Sequence, residues 1–127
     1  MMQGIVDRNC EAKIRLAVGN ADGQRQMIDA LIDTGFTGFL MLPMAVVVNL
    51  KLQVYRRETG ILADGSRRTF DVYRGLVLWD GEKRSVDINA SESEPLVGMN
   101  LLYGYRIQID ATEGGLVSIT RLSKGKS

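Results

Sequence analysis

The sequence predicts an all-β domain with one or two short helices. Alternating polar and apolar residues over residues 11–18 and 105–110 are typical of half-buried strands. Turn clusters rich in Gly, Asp and Asn separate such stretches along the chain. The chain has 14 glycines and two prolines, which suits a fold with many tight turns. Its 127 residues are enough for one domain, residues 1–127, with its own core.

The composition argues against several classes of function. A net charge of +1 gives no attraction toward nucleic acid or an anionic membrane. The chain has no histidine and a single cysteine, Cys10, so Ser-His and Cys-His catalysis and an intrachain disulfide are excluded. We therefore expect no metal and no cofactor. No apolar run approaches the length of a membrane span and the N-terminus lacks a signal-peptide core, so we expect a cytoplasmic protein.

The first third of the chain reads as a short opening segment and a hairpin. Residues 1–7 are mixed in character and fit either a loose arm or an edge strand. Residues 11–18 and 24–32 form two strands around a turn cluster at residues 19–23. The second strand of this hairpin leads directly into Asp33.

The middle of the chain predicts a buried strand, a short helix and two hairpins. Residues 39–42 are apolar, and Pro43 suits the first turn of a helix. The valine-rich residues 44–50 fit a helix or a strand, and we favour a helix. Two hairpins follow, at residues 59–73 and 73–90, because Asp-Gly pairs at Asp64-Gly65 and Asp80-Gly81 are strong signals of a two-residue turn.

The last third predicts a second short helix and a final hairpin. Residues 96–98 read as a short buried strand, and residues 99–103 as one or two helical turns closed by Gly104. Residues 105–110 and 116–120 form the hairpin, which turns at residues 113–115. Residues 123–127 are a basic tail for which we expect disorder.

One stretch places polar chemistry directly at the end of an apolar strand. Ala30-Leu31-Ile32 runs into Asp33, Thr34 and Gly35. Aspartate and glycine are depleted inside strands, so the chain carries a carboxylate to the edge of its core and turns there. Gly35 permits a tight turn and the close approach of another backbone. A strand end closed by an ordinary Asx turn fits the same residues.

The pattern Asp33-Thr34-Gly35-Phe36 resembles the active-site motif of retropepsin-like, single-lobed aspartic proteases, and most closely that of prokaryotic members. Pro95-Leu96-Val97-Gly98 resembles the second motif of this family, and the resemblance extends over residues 11–122. It implies a closed barrel of hairpins with short helices after Pro43 and after Gly98. The family often has a helix after Leu-Pro, which favours the helix at residues 44–50.

The resemblance implies a homodimeric aspartic endopeptidase acting on peptide or protein substrates. Catalysis in this family needs two carboxylates that share a proton, and the chain has one Asp-Thr-Gly, so Asp33 of two subunits would form the dyad. Thr34 would bond to the partner's backbone, Gly35 would admit the substrate backbone, and Phe36 would line a subsite or simply pack. The tip of a flap would close over the substrate; its residues are Ala63, Asp64, Gly65 and Ser66.

Two departures separate the chain from viral members of this family. Thr37 and Met99 stand where viral members carry an acid and an arginine, and because both charges are absent together, none is left unpaired. Asp64 stands at a flap tip that is glycine-rich in viral members. Two alternatives stay open: a non-catalytic peptide-binding or dimerisation module on the same fold, and an unrelated β-barrel in which Asp33 begins a plain turn.

Overall fold

A computed structural model of the chain describes residues 1–123, within which there are ten strands and two helices. Apart from Ser123, the basic tail predicted at residues 123–127 lies outside the described residues. In chain order the elements are β1 (Met2–Val6), β2 (Ala12–Gly19), β3 (Arg25–Ile32), β4 (Leu40–Pro43), α1 (Met44–Asn49), β5 (Gln53–Ile61), β6 (Arg67–Trp79), β7 (Glu82–Ser91), β8 (Leu96–Val97), α2 (Met99–Leu102), β9 (Tyr105–Ile109) and β10 (Leu116–Arg121).

The strands of residues 1–123 form one sheet, in the order β5-β6-β7-β4-β8-β3-β2-β1-β10-β9. A short additional pairing, at Val18–Val77 and Gly19–Leu76, joins β2 to β6, which lie far apart in this order. The all-β class is confirmed, and so are the two short helices after Pro43 and Gly98. The closed barrel stays a prediction.

The buried core side chains come from strands in which polar and apolar residues alternate. Ile14, Leu16 and Val18 on β2 are buried, whereas Arg15 between them is exposed. In the same core, the buried ring of Trp79 meets the ring of Tyr105 edge-on, with 5.7 Å between ring centroids. Period-two burial of this kind gives a sheet with one apolar face directed inward.

The opening segment is neither a loose arm nor an edge strand. β1 lies between β2 and β10 and pairs antiparallel with both of them. A Cβ at Gly4 would lie 3.1 Å from the Cα of Ile14 and closer still to the backbone of Lys13, so glycine allows this close pairing. Because β10 is distant in sequence, the local pattern of residues 1–7 could not reveal that partner.

The valine-rich segment after Pro43 is helical, as predicted. In α1 the side chains of Val46 and Val47 are buried, and the N–H of Leu50 donates to the carbonyl oxygen of Val46 at 3.0 Å. Pro43 is the N-cap residue of α1, one position before the first helical turn in which it was predicted, and β4 ends at Pro43 rather than at Leu42. No helix within residues 1–123 has the length and apolar character needed to cross a membrane.

The two Asp-Gly pairs form different turns. Asp80 and Gly81 have φ values of 52° and 83° and join β6 to β7 as a two-residue turn, as predicted. Asp64 and Gly65 instead lie in a five-residue loop, 62–66, in which only Gly65 has a positive φ. The N–H of Gly65 donates to Leu62 O at 2.9 Å, and this bond closes the wider turn. The prediction of a two-residue turn here was wrong.

Candidate active site

Asp33 opens the loop of residues 33–39, which we call the Asp33 loop, between β3 and β4. β8 lies between these two strands, parallel to β3 at Ile32–Val97 and antiparallel to β4 at Leu40–Val97. The two sequence motifs are therefore adjacent, because β8 carries the second motif between the strands that flank the first. Leu40 and Val97 are fully buried, so this arrangement rests on the core.

Backbone hydrogen bonds hold the Asp33 loop against the second motif. Each net bond of this kind contributes about 1 kcal/mol, and together they fix the course of the loop. The bonds run from Asp33 N–H to Val97 O at 2.9 Å, from Met99 N–H to Phe36 O at 2.8 Å, from Gly98 N–H to Phe39 O at 3.0 Å and from Asn100 N–H to Gly38 O at 3.1 Å.

The carboxylate of Asp33 is half-buried at the surface of the loop. Its Oδ1 accepts the N–H of Gly35 at 2.9 Å, and the N–H of Phe36 donates to its backbone oxygen at 3.2 Å, so an Asx turn is present. Within residues 1–123 the side chain makes no other hydrogen bond to protein. The carboxylate therefore retains lone pairs that can accept hydrogen bonds from water or from a second carboxyl group.

Glycines allow the two motifs to pack backbone against backbone. A Cβ at Gly98 would lie 2.6 Å from Cδ2 of Phe36 and closer still to the carbonyl oxygen of Gly38. A Cβ at Gly38 would lie 2.5 Å from Cζ of Phe36. Gly98 therefore packs against the Asp33 loop, and the ring of Phe36 covers both glycines.

Thr34 and Gly35 are exposed residues of the Asp33 loop. Within residues 1–123 the hydroxyl of Thr34 makes no hydrogen bond, and its bond to a partner's backbone stays a prediction. A Cβ at Gly35 would lie 3.2 Å from Asp33 Oδ1, so a side chain there would crowd the carboxylate. In the described part of the chain, no cluster of three or more Asp, Glu, Cys or His side chains is placed to hold a metal ion.

The hairpin of β5 and β6, which we call the flap, ends in the exposed loop 62–66. Oδ1 of Asp64 accepts hydrogen bonds from the N–H of Ser66 at 2.9 Å and from its hydroxyl at 2.6 Å. These bonds, the hydroxyl bond first, lower the pKa of Asp64 below its ordinary value. The carboxylate of Asp64 thus closes its own turn.

Charged groups join the base of the flap to β7. Asp87 accepts hydrogen bonds from Nη1 of Arg56 and Nη1 of Arg74, both at 2.6 Å. Arg56 also donates through Nε to Glu58 at 3.1 Å, and the guanidinium of Arg74 lies 4.3 Å from the ring centroid of Tyr55. Because β5 bulges between Val54 and Arg56, this network lies where the flap departs from the sheet.

Two cavities lie on the inner side of the flap. The cavity of about 370 Å³ lies beside the Asp33 loop and is lined by Phe36, Thr37, Gly38, Met41, Glu58, Phe70, Asp71, Asn89 and Ala90. The cavity of about 670 Å³ lies beside the start of α1 and is lined by Met44, Leu62, Arg68, Thr69, Phe70, Asp71, Tyr73, Ala90, Ser91 and Glu92.

Of the residues that the sequence predicted for the cleft, some line one of these cavities and others line neither. Phe36 lines the smaller cavity and also packs, so both of its expected roles are compatible with its position. Ala63, Asp64, Gly65 and Ser66 line neither cavity, and their role in a closed flap stays a prediction. Sequence reasoning missed Phe70, which lines both cavities and whose only signal was an apolar position in the second flap strand.

Comparison with known proteins supports the fold of the chain. No protein-family model matches it, and no curated protein matches its sequence. The structure is similar to the crystal structure of a retropepsin-like aspartic protease from Rickettsia conorii, with a TM-score of 0.57 and 14% sequence identity. The similarity covers 96% of this chain and 91% of that chain. At this identity the likeness shows the fold, and the chain has a retropepsin-like fold.

Proposed function

We propose that the protein is a homodimeric aspartic endopeptidase that hydrolyses peptide bonds with water activated by Asp33 of both subunits. The observation that carries this proposal is the position of Asp33. Its carboxylate lies on a loop anchored by the second motif, within a fold similar to that of a retropepsin-like aspartic protease. The cavities beside this loop offer space for the side chains of a peptide.

The chemistry requires a second carboxylate, and the single Asp-Thr-Gly sequence assigns it to a second copy of the chain. Two adjacent carboxyl groups cannot both ionise easily, so they share one proton. The ionised group removes a proton from the attacking water while the protonated group donates its proton to the carbonyl oxygen of the substrate. The proton taken from water then passes to the leaving amine as the C–N bond breaks.

The remaining predicted site residues have supporting roles in this proposal. Gly35 lets the substrate backbone approach Asp33, and Thr34 links the two Asp33 loops across the dimer. The flap loop closes over the bound peptide and excludes water. The substrate is a peptide or protein in an extended conformation, and a cytoplasmic location is part of the proposal.

The test is cleavage of a peptide library by wild-type protein and by Asp33→Asn, from acidic to neutral pH. We expect the variant to lose cleavage but to keep its melting temperature and its dimeric state, measured by sedimentation. Asp29→Asn is the matched control, because Asp29 is exposed on β3, the strand that leads into Asp33, and pairs with Arg15 at 3.0 Å. This control should cleave as the wild type does.

The possible outcomes separate the proposal from its alternatives. Cleavage retained by Asp33→Asn would contradict the role of the carboxylate. A wild-type dimer that binds peptides but cleaves none at any pH would favour a non-catalytic peptide-binding or dimerisation module. A protein that is strictly monomeric could not assemble the dyad, so a monomer would also contradict the proposal.

A further inference from the structure

The two cavities under the flap meet at one aromatic side chain. The cavity of about 370 Å³ extends from there to Phe36 of the Asp33 loop, and the cavity of about 670 Å³ extends to Leu62. Phe70, Asp71 and Ala90 line both of them. The boundary between the cavities is therefore set by these three residues.

Of these three residues, only Phe70 can divide the space. The carboxylate of Asp71 is paired with Nε of Arg57 at 3.0 Å, and Ala90 has only a methyl group. The side chain of Phe70 is 39% exposed even though the residue lies on the inner side of the flap, so its ring borders open space rather than the core. Its size and position make the ring a partition between the two cavities.

The ring of Phe70 is held in place by a glycine on the neighbouring strand. A Cβ at Gly60 would lie 3.1 Å from Cε1 and 3.6 Å from Cζ of Phe70, so the ring lies against the bare backbone of Gly60. The register pairs Phe70 with Glu58 and Gly60 with Arg68, so the contact is diagonal across the flap. An aromatic ring that covers a strand glycine in this way is a stabilising cross-strand arrangement.

We propose that Phe70 is a specificity-determining residue whose ring separates two side-chain subsites of the substrate cleft. This inference rests on the proposed function, since it assumes that an extended peptide binds between the Asp33 loop and the flap. Alternate side chains of an extended chain point to the same side, so residues two apart enter the two cavities. From its greater volume, the larger cavity takes a large side chain, and the smaller cavity takes a smaller one.

The test measures how the size of a substrate side chain affects cleavage in wild type and Phe70→Ala. In wild type, a bulky side chain at the position facing the smaller cavity should reduce kcat/KM. Phe70→Ala joins the cavities, and we expect this discrimination to fall by at least about tenfold, the lower end of the effect of a single methylene in an apolar pocket. Gly60→Val should change the size preference at the same substrate position by an independent route, because the valine side chain would push the ring of Phe70 away.

Ile61→Ala is the matched control within the flap. Ile61 is exposed, lines neither cavity, and points to the face of the flap opposite Gly60. Its substitution should leave the side-chain preferences unchanged. Melting temperatures and sedimentation of all variants establish that any change in preference comes from folded dimers.

Equilibrium binding of the same peptides to Asp33→Asn and to Asp33→Asn/Phe70→Ala separates this proposal from that of endopeptidase activity. If no peptide is cleaved by the wild type but Phe70→Ala changes which peptides bind, the proposal of two subsites is supported and that of endopeptidase activity is overturned. If peptides are cleaved or bound and Phe70→Ala leaves the relative preferences unchanged, the role of Phe70 is overturned. If no peptide is cleaved or bound, both proposals are overturned.

Discussion

Replacement of Gly98 by alanine should disrupt the contact between the second motif and the Asp33 loop. The added methyl carbon would lie 2.6 Å from Cδ2 and 2.8 Å from O of Phe36, and closer still to the carbonyl oxygen of Gly38. Both oxygens accept backbone hydrogen bonds, so they cannot retreat without weakening them. Gly98 has φ −100° and ψ 173°, which alanine adopts freely, so the cost is steric rather than conformational.

The magnitude follows from the kind of atom that must move. Added methylenes in a well-packed core cost about 1–3 kcal/mol, and we expect about 3 kcal/mol here because backbone atoms resist displacement. Unfolding entropy is about 2.1 cal/mol/K per residue, or about 0.27 kcal/mol/K for this chain. The melting temperature should therefore fall by about 11 °C.

Thermal unfolding followed by circular dichroism measures this change, with Gly35→Ala as the control. A Cβ at Gly35 would meet only Oδ1 of Asp33, at 3.2 Å, and Gly35 has no positive φ. Its substitution should change stability by less than about 1 kcal/mol, or about 4 °C, while it crowds the carboxylate and lowers cleavage. A melting temperature for Gly98→Ala no lower than that of this control would refute the argument from close packing.

Two further predictions concern the flap. Asp87→Ala leaves Arg56 and Arg74 without their shared carboxylate and should lower the free energy of unfolding in urea by about 1 kcal/mol, because both arginines are partly exposed; an unchanged value would show that water replaces these bonds fully. Ser66→Ala should raise the pKa of Asp64 toward its ordinary value of 3.8, as followed by NMR titration. Because this pKa is lowered on folding, its stabilising effect is present above 3.8 and is lost as pH falls through the folded pKa, so the acid sensitivity of the loop should diminish in the variant. An Asp64 pKa unaffected by the substitution would contradict the assigned cause.

The sequence was sufficient where the decisive information is local. Asp33 at a strand end and the helix that follows Gly98 are both predicted from contiguous residues, and both are found. The place of β1 was not predictable, because it depends on pairing with β10, more than 100 residues away. The ambiguous valines of α1 were resolved by burial of Val46 and Val47 rather than by intrinsic propensity.

Phe70 was missed in part because the length of the flap turn was predicted wrongly. A two-residue turn at Asp64-Gly65 would pair Phe70 with Thr59, whereas the five-residue loop pairs it with Glu58. Neighbouring residues of a strand point to opposite faces, so a register change of one residue decides which flap residues share the inner side with Phe70. The composition of the cleft could therefore not be read from the strand pattern alone.

The position of Asp33 depends mainly on backbone atoms. Its loop is joined to the second motif by main-chain hydrogen bonds, and close packing requires only that Gly38 and Gly98 lack side chains. Most side chains around the carboxylate can therefore change without moving it, which explains how this fold persists at low sequence identity. Differences in specificity must then arise from side chains that project into the cavities but do not anchor the loop, and Phe70 on β6 meets both conditions.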